Sequence, residues 1–365
     1  MSLKLRVGDW VEVRSKEEIL KTLDRQGQLD GLPFMPPMFL HCGRRFKVYK
    51  RAHKTCDTVF PVRGRRVADA VHLETRCNGL GYGDCQAGCL IFWKEAWLKK
   101  VKAENDGSAP PQKDAPIQAA AGENTGCTEQ DVWAGTLASG RQNEPEAVYI
   151  CQATQLPYAT TELRWWDIRQ YLEDYTSGNV GIWQIIKGGI YAGYYRLSIS
   201  RIGLGPAMRW FYDRFHPLWR GTLFPRHTGI IRVDEPTPAP ASPLNLQPGE
   251  LVRVKSHLEI LKTLNTDNKN RGLYFDAEMV PFCGGTYRVL KRVNKIIDEK
   301  TGKMARMKNE SIILEGVFCQ SRYSHCRMFC PRAIYPYWRE IWLERVSRKD
   351  GEAGFEADNG SKLAR

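Results

Sequence analysis

From Val7 to Val13 the chain alternates apolar and polar residues around a Gly-Asp turn, the two-residue period of a short half-buried strand. A brief helical or turn segment at Lys16 to Leu23 follows. Phe46 to Tyr49 and Val71 to Leu73 read as further strands, and Trp97-Leu98-Lys99-Lys100-Val101 is placed to close the sheet. A second set of strand patterns recurs at Tyr287 to Leu290 and Ile312 to Leu314. Between the two sets the period changes. Leu163, Trp166, Ile168 with Arg169, and Tyr171-Leu172 fit one amphipathic helix. Ser177 or Asn179 is placed to cap another through Trp183, Ile186, Ile190 and Tyr194.

The two strand sets belong to an internal match. Leu3 to Lys21 (LKLRVGDWVEVRSKEEILK) aligns with Leu244 to Lys262 (LNLQPGELVRVKSHLEILK) at an offset of 241 residues. The offset carries Gly8 onto Gly249, Ser15 onto Ser256, Phe34 onto Phe275, Cys42-Gly43 onto Cys283-Gly284 and Lys50-Arg51 onto Lys291-Arg292. After small insertions, Trp93-x-Glu95-x-Trp97-Leu98 meets Trp338-x-Glu340-x-Trp342-Leu343. Searching for self-similarity first is what exposes a duplicated unit, and residues 3–101 and 244–346 are expected to be one.

The opening Val-Gly-Asp-Trp-Val-Glu-Val resembles the first strand of SH3-like β-barrels, and that resemblance implies a fold without implying an activity. The expected class is therefore α+β, mainly β, with two small SH3-like barrel modules joined by a helical, aromatic-rich segment. The expected division is a first module at 1–101, a flexible linker at 102–128 and a central helical segment at 129–235. A Pro/Ala hinge at 236–243, a second module at 244–346 and a disordered tail at 347–365 follow.

Each module brings four cysteines in register. The first has Cys42, Cys77, Cys85 and Cys89; the second has Cys283, Cys319, Cys326 and Cys330. Four thiolates fill the tetrahedral shell of a soft cation and leave no open position. Two structural zinc ions are the expected cofactors, an iron–sulfur cluster is the alternative, and disulfides or plain buried thiols also account for the spacing. The repeat begins at Leu3, without room for a leader, and no stretch approaches the roughly 18 apolar residues of a membrane span. A cytoplasmic location is expected, where the 11 cysteines stay reduced.

The copies also differ. His41, His53, Cys56 and His72 of the first face Phe282, Asn294, Ile297 and Ile313 of the second. Cys56 assisted by His53 or His72 is thus a candidate nucleophile, against the plainer reading of a small buried thiol and hydrogen-bonded imidazoles. The run Asn78-Gly79-Leu80-Gly81-Tyr82-Gly83 lacks a following phosphate-binding helix and reads as a tight turn between cysteines.

Composition adds a direction. The net charge of +13 and a pI near 9.2 favour an anionic partner. From Thr160 to Arg232 there are nine Arg and one Lys against five acidic residues, interleaved with Trp and Tyr. The candidate binding residues there are Arg164, Trp165, Trp166, Arg169, Arg209, Trp210, Arg214, Trp219 and Arg220, since guanidinium forks and aromatic faces suit phosphates, bases and sugars. The same aromatics also suit a core that joins the modules, and Ile182 to Ile190 suits an interfacial membrane helix. No G-x-S-x-G, H-E-x-x-H, phosphate-loop or Rossmann signature occurs. The leading expectation is a metal-stabilised binding or scaffold protein for nucleic acid or an acidic protein region. The alternative is an enzyme or accessory component of a biosynthetic or modification pathway, with its site in the first module or the inter-module cleft.

Overall fold

A turn at Gly8, where φ is +88°, leads into β1 (Trp10–Val13) of a computed structural model that describes residues 3–60, 63–102, 126–138, 146–199, 204–216, 222–324 and 326–346. Most of the expected linker (103–125) and the tail (347–365) lie outside the described residues. Ser15 caps α1 (Lys16–Leu20) through a reciprocal box: its hydroxyl accepts the Glu18 N–H and the Glu18 carboxylate accepts the Ser15 N–H. Next come β2 (Gln28–Leu29), β3 (Leu32–Pro33), a 3-10 turn at Pro36–His41, β4 (Arg45–Arg51), β5 (Lys54–Cys56), β6 (Gly64–Arg66), β7 (Ala70–Arg76), β8 (Leu90–Lys94) and β9 (Leu98–Lys100). Five of these strands form an open antiparallel sheet in the order β8-β7-β4-β1-β9.

The central residues supply α2 (Glu129–Ala134), α3 (Gln152–Ala159), β10 (Thr161–Leu163), α4 (Arg169–Thr176), α5 (Ile182–Ser198) and α6 (Gly205–Phe215). The chain then runs β11 (Leu251–Val254), α7 (His257–Leu261), β12 (Lys269–Asn270), β13 (Leu273–Tyr274), β14 (Thr286–Arg292), β15 (Lys295–Ile297), β16 (Met304–Arg306), β17 (Ile312–Leu314) and β18 (Leu343–Arg345). Here the sheet order is β17-β14-β11-β18. The class is mixed α and β, built on several small antiparallel sheets.

The matched sequence blocks make matched contacts. Ser256 and Glu259 repeat the capping box at α7. A register shift interrupts β4 against β7 at Val48/Lys50 and β14 against β17 at Val289/Lys291. Trp93, Trp97, Trp338 and Trp342 are fully buried. Phe34 meets Trp97 edge-on at 5.2 Å, and Phe275 meets Trp342 at 5.3 Å. The glutamate between each tryptophan pair closes the start of its own module. Glu95 accepts the N–H groups of Lys4 and Leu5 and pairs with Arg51 at 2.7 Å; Glu340 accepts those of Leu244, Asn245 and Leu246 and pairs with Arg292 at 2.6 Å. Charged acceptors satisfying several buried donors at once are what make such a carboxylate tolerable inside.

The central segment departs from the sequence reading in two places. Thr161–Leu163 is strand, paired with β6, so the first helix begins only at Arg169. The anticipated caps of the next helix are engaged elsewhere: Ser177 closes α4, and the Asn179 side chain bonds both the N–H and the carbonyl of Arg51 at 2.8 Å. Gly181 precedes α5 instead. The 236–243 stretch is pinned to the second module, where the Thr237 hydroxyl accepts the Arg271 N–H and the Pro238 carbonyl accepts from Asn270.

The segment is fastened to both modules. Val132 and Leu156 join the first core. Gln152 donates to the carbonyls of Pro33 and Phe92 and accepts the Phe92 N–H. The buried Lys54 ammonium sits 2.5 Å from Asp174 of α4, with His53 Nε2 3.3 Å from the other carboxylate oxygen. On the opposite side Gly188 of α5 lies against Met328 and Phe329, where a Cβ would approach to 2.4 Å. No helix among the described residues is long and apolar enough to cross a membrane.

Candidate functional site

The cysteines do not gather as their spacing suggests. Cys77, Cys85 and Cys89 line one cavity, but the fourth thiol there is Cys151 from the central segment. Cys42 lies beside Lys16 and Glu17 instead. Burial pushes Cys77 and Cys89 up to about 12 and Cys151 up to about 11, so these are protonated thiols at neutral pH. The cavity has a volume of about 30 Å3, room for one water. The glycine run turns between these cysteines. Gly79 has φ of +85°, and a Cβ on it would come within 2.6 Å of the Cys85 carbonyl oxygen.

In the second module Cys319 and Cys330 sit near Cys56, which comes from the first. Cys283 is raised to about 12 by burial, and Cys326 stands apart near Arg196, Arg327 and Arg226. Among the described residues no three His, Cys, Asp or Glu side chains are grouped so as to hold a metal ion, and the geometry gives no support to the expected zinc or iron–sulfur sites.

The Cys56 N–H donates to Cys330 Sγ at 3.1 Å, and the two thiols share a hydrogen bond. The pair behaves as one acid. Its first proton leaves below the usual thiol range because the neighbouring thiol solvates the charge and Arg332 and Arg327 lie close; the second is held far above it. Neither expected base reaches Cys56 by a hydrogen bond. His53 faces Gln170 and Asp174. His72 is fully buried, bonds the Ile91 carbonyl through Nδ1, packs 4.4 Å from the Phe92 ring, and is pushed down to about 4 by burial. A nucleophile needs a base within reach, and the described arrangement supplies a second thiol in its place.

The contacts across this seam run both ways. The Ile297 N–H donates to Cys85 Sγ at 3.3 Å, and the Gln86 side chain accepts the N–H groups of Asn294 and Lys295. Thr58 bonds Glu299, a residue 241 positions later, and buried Arg332 pairs with Glu299 at 2.8 Å.

A second, larger cavity of about 230 Å3 opens between α5, α6 and the second module. Arg209 and Arg226 line it with Tyr195, Tyr274, Ser198 and Asn268; among the described residues no carboxylate lines it, and Asp276 stands near Arg226. Arg226 is held by its Nη2 on the Tyr323 carbonyl at 2.7 Å and by the Tyr195 ring, 4.7 Å from its guanidinium carbon. Its buried Nε makes no well-formed hydrogen bond among the described residues, with the Tyr191 hydroxyl beside the guanidinium. A buried guanidinium donor whose hydrogen bonding is incomplete is an opening for an anion.

The other expected binding residues divide. Arg196 stacks on Trp165 at 3.3 Å and Arg164 on Trp166 at 5.4 Å, while Arg169 is spent on Asp167 at 2.8 Å. Trp210 and Arg214 are exposed on α6. Trp219 and Arg220 lie outside the described residues. Sequence reasoning missed Cys151, Arg226, Tyr195 and Tyr274; none sits in a motif, and only the docking of distant elements brings them to a cavity. In comparisons with known proteins, no family model matches this chain and no curated protein matches it.

Proposed function

We propose that this chain is a non-catalytic binding protein whose central helical segment, seated on the second module, receives an anionic group of a larger partner. The observation that carries the reading is the Arg226 side chain, whose buried Nε makes no well-formed hydrogen bond beside a cavity that Arg209 also lines. A cavity of about 230 Å3 suits a single phosphate or carboxylate group better than a whole cofactor. In the central segment the carboxylates are already engaged: Asp174 is paired with Lys54, Glu173 with Arg51, Asp167 with Arg169 and Asp213 with His227. At the cavity itself Asp276 lies near Arg226 and partly offsets its charge.

The test is calorimetric titration of the full chain with inorganic phosphate, an oligonucleotide and an acidic polypeptide at several salt concentrations. Binding that weakens with salt and falls at least tenfold in Arg226→Gln supports the reading. Binding unchanged by Arg226→Gln and by Arg209→Gln, or no binding to any of the three and none to an anionic surface, removes it.

A further inference from the structure

The helix α5 is turned the wrong way for a helix that serves only the core. Its inward side holds Gly188, Tyr191 and Ser198, the three buried positions of 17 residues. At 100° per residue, Trp183, Ile186, Ile190 and Leu197 fall on one outward stripe, with Gly193 between them and Ile182 at its edge. Trp183 is 72% exposed and Ile190 67%. No charged residue interrupts the stripe; Lys187 borders it and is exposed. A soluble surface tolerates single apolar side chains, but a continuous stripe of them marks a contact.

The neighbouring helix repeats the pattern. On α6, Ala207, Trp210, Phe211 and Arg214 follow i, i+3, i+4, i+7 spacing and are all exposed. The two helices are held together by the Tyr194 hydroxyl on the Met208 carbonyl and by the Tyr194 and Tyr212 rings, 5.8 Å apart. The only acidic residue from Ile182 to Phe215 is Asp213, and it is taken up by His227 at 2.7 Å and by the Phe224 N–H.

From this combination we propose that the α5–α6 pair lies in the surface of an anionic lipid bilayer. Trp183, Ile186, Ile190, Trp210 and Phe211 enter the headgroup–acyl boundary, and Lys187 and Arg214 meet lipid phosphates. Three features choose lipid over a protein groove. The outward residues are tryptophan and branched aliphatics, the pairing suited to the bilayer boundary. The flanking charge is cationic, complementary to an anionic leaflet. Gly189 and Gly193 on the same side have open space where a Cβ would stand, which lets the helix backbone approach a flat surface closely. The inference rests on the reading of this segment as an anion-binding surface and names its partner.

The experiment is co-sedimentation of the full chain with vesicles of phosphatidylcholine alone and with about one-third phosphatidylglycerol. The native protein, Ile190→Asp and the double variant Trp183→Ser/Trp210→Ser are compared, with circular dichroism and melting temperature as folding controls. These positions are exposed, so the variants are expected to melt as the native chain does. Preferential binding to the anionic vesicles, reduced at least tenfold in both variants and weakened by salt, is the expected result. Equal binding to both vesicle types, or binding unchanged by the variants, overturns the inference. If the chain ignores vesicles but binds phosphate or oligonucleotide in an Arg226-dependent way, the proposed function stands and the lipid assignment fails. A dimer that Ile190→Asp dissociates, without vesicle binding, reassigns the stripe to contact between copies of the chain.

Discussion

Replacing Asp174 by alanine isolates the contact that fastens α4 to the first module. The Lys54 ammonium lies 2.5 Å from Asp174 Oδ2, with side-chain exposures of 4% and 0%. At that separation and an effective dielectric constant of about 20, the attraction is on the order of 7 kcal/mol, most of which offsets the desolvation of both charges. Removing the carboxylate leaves Lys54 only the Gln170 amide oxygen at 3.4 Å and the Tyr171 and Phe329 rings to offset its desolvation. The loss has a ceiling, because Lys54 can shed its proton: from an ordinary value near 10.4, neutralisation at pH 7 costs about 4.6 kcal/mol. Asp174→Ala is therefore expected to lose about 3–4 kcal/mol, a melting-temperature fall of about 5 °C, read by urea unfolding and by thermal melting. The variant should also regain stability as pH rises. Its unfolded chain keeps the Lys54 proton up to about pH 10.4 while the buried amine does not, so the unfolded state binds more protons across that window. Lys54→Met together with Asp174→Leu should recover most of the loss. A loss below about 1 kcal/mol for Asp174→Ala, or a double variant worse than the single one, would refute the reasoning.

Acid should unfold the protein partly through His72. Its folded-state pKa near 4 against 6.5 means that stability present above pH 6.5 is lost as pH falls toward 4, by up to about 3 kcal/mol. His72→Ile, which copies Ile313, should flatten that part of the pH–stability curve, and an unaltered curve would exclude His72 as its source. Gly188→Val should cost about 1–3 kcal/mol by driving a side chain into Met328 and Phe329, whereas Gly189→Ala, with open space at its Cβ, should gain a few tenths to 1 kcal/mol in the same denaturation assay. Ultraviolet thiolate absorbance should detect one thiolate below the usual thiol range in the native chain and none in Cys56→Ala; a signal that persists places the charge on another sulfur.

Local order was legible from the sequence wherever local physics fixes it. The brief helical or turn segment expected at Lys16 to Leu23 contains α1 (Lys16–Leu20), started by the Ser15–Glu18 box, and the paired tryptophans are core. The alternating runs lie within or overlap β1, β4, β7, β14 and β17. What depends on docking was not legible. Cys42 matches Cys283 in sequence, yet the cavity of Cys77, Cys85 and Cys89 takes its fourth thiol from Cys151, because α3 and not the end of the 3-10 turn reaches it. The run from Leu163 carries helical spacing, but β6 offers Thr161–Leu163 a paired edge, and the extended form prevails. Exposure was hidden as well. Periodicity marks Trp183, Ile186 and Ile190 as one stripe of α5 without telling which way the stripe faces, and glycine at 188 turns the opposite side inward.

The exchange of contacts between Cys56 and Cys330, and between Ile297 and Cys85, bears on how the protein can be divided. A fragment cut at the edge of either tryptophan-cored sheet would lose the hairpin that shields its sulfurs. Such a fragment would carry freshly wetted thiols, prone to air oxidation and to cross-linking between molecules, so dissection should proceed by co-expressing complementary pieces.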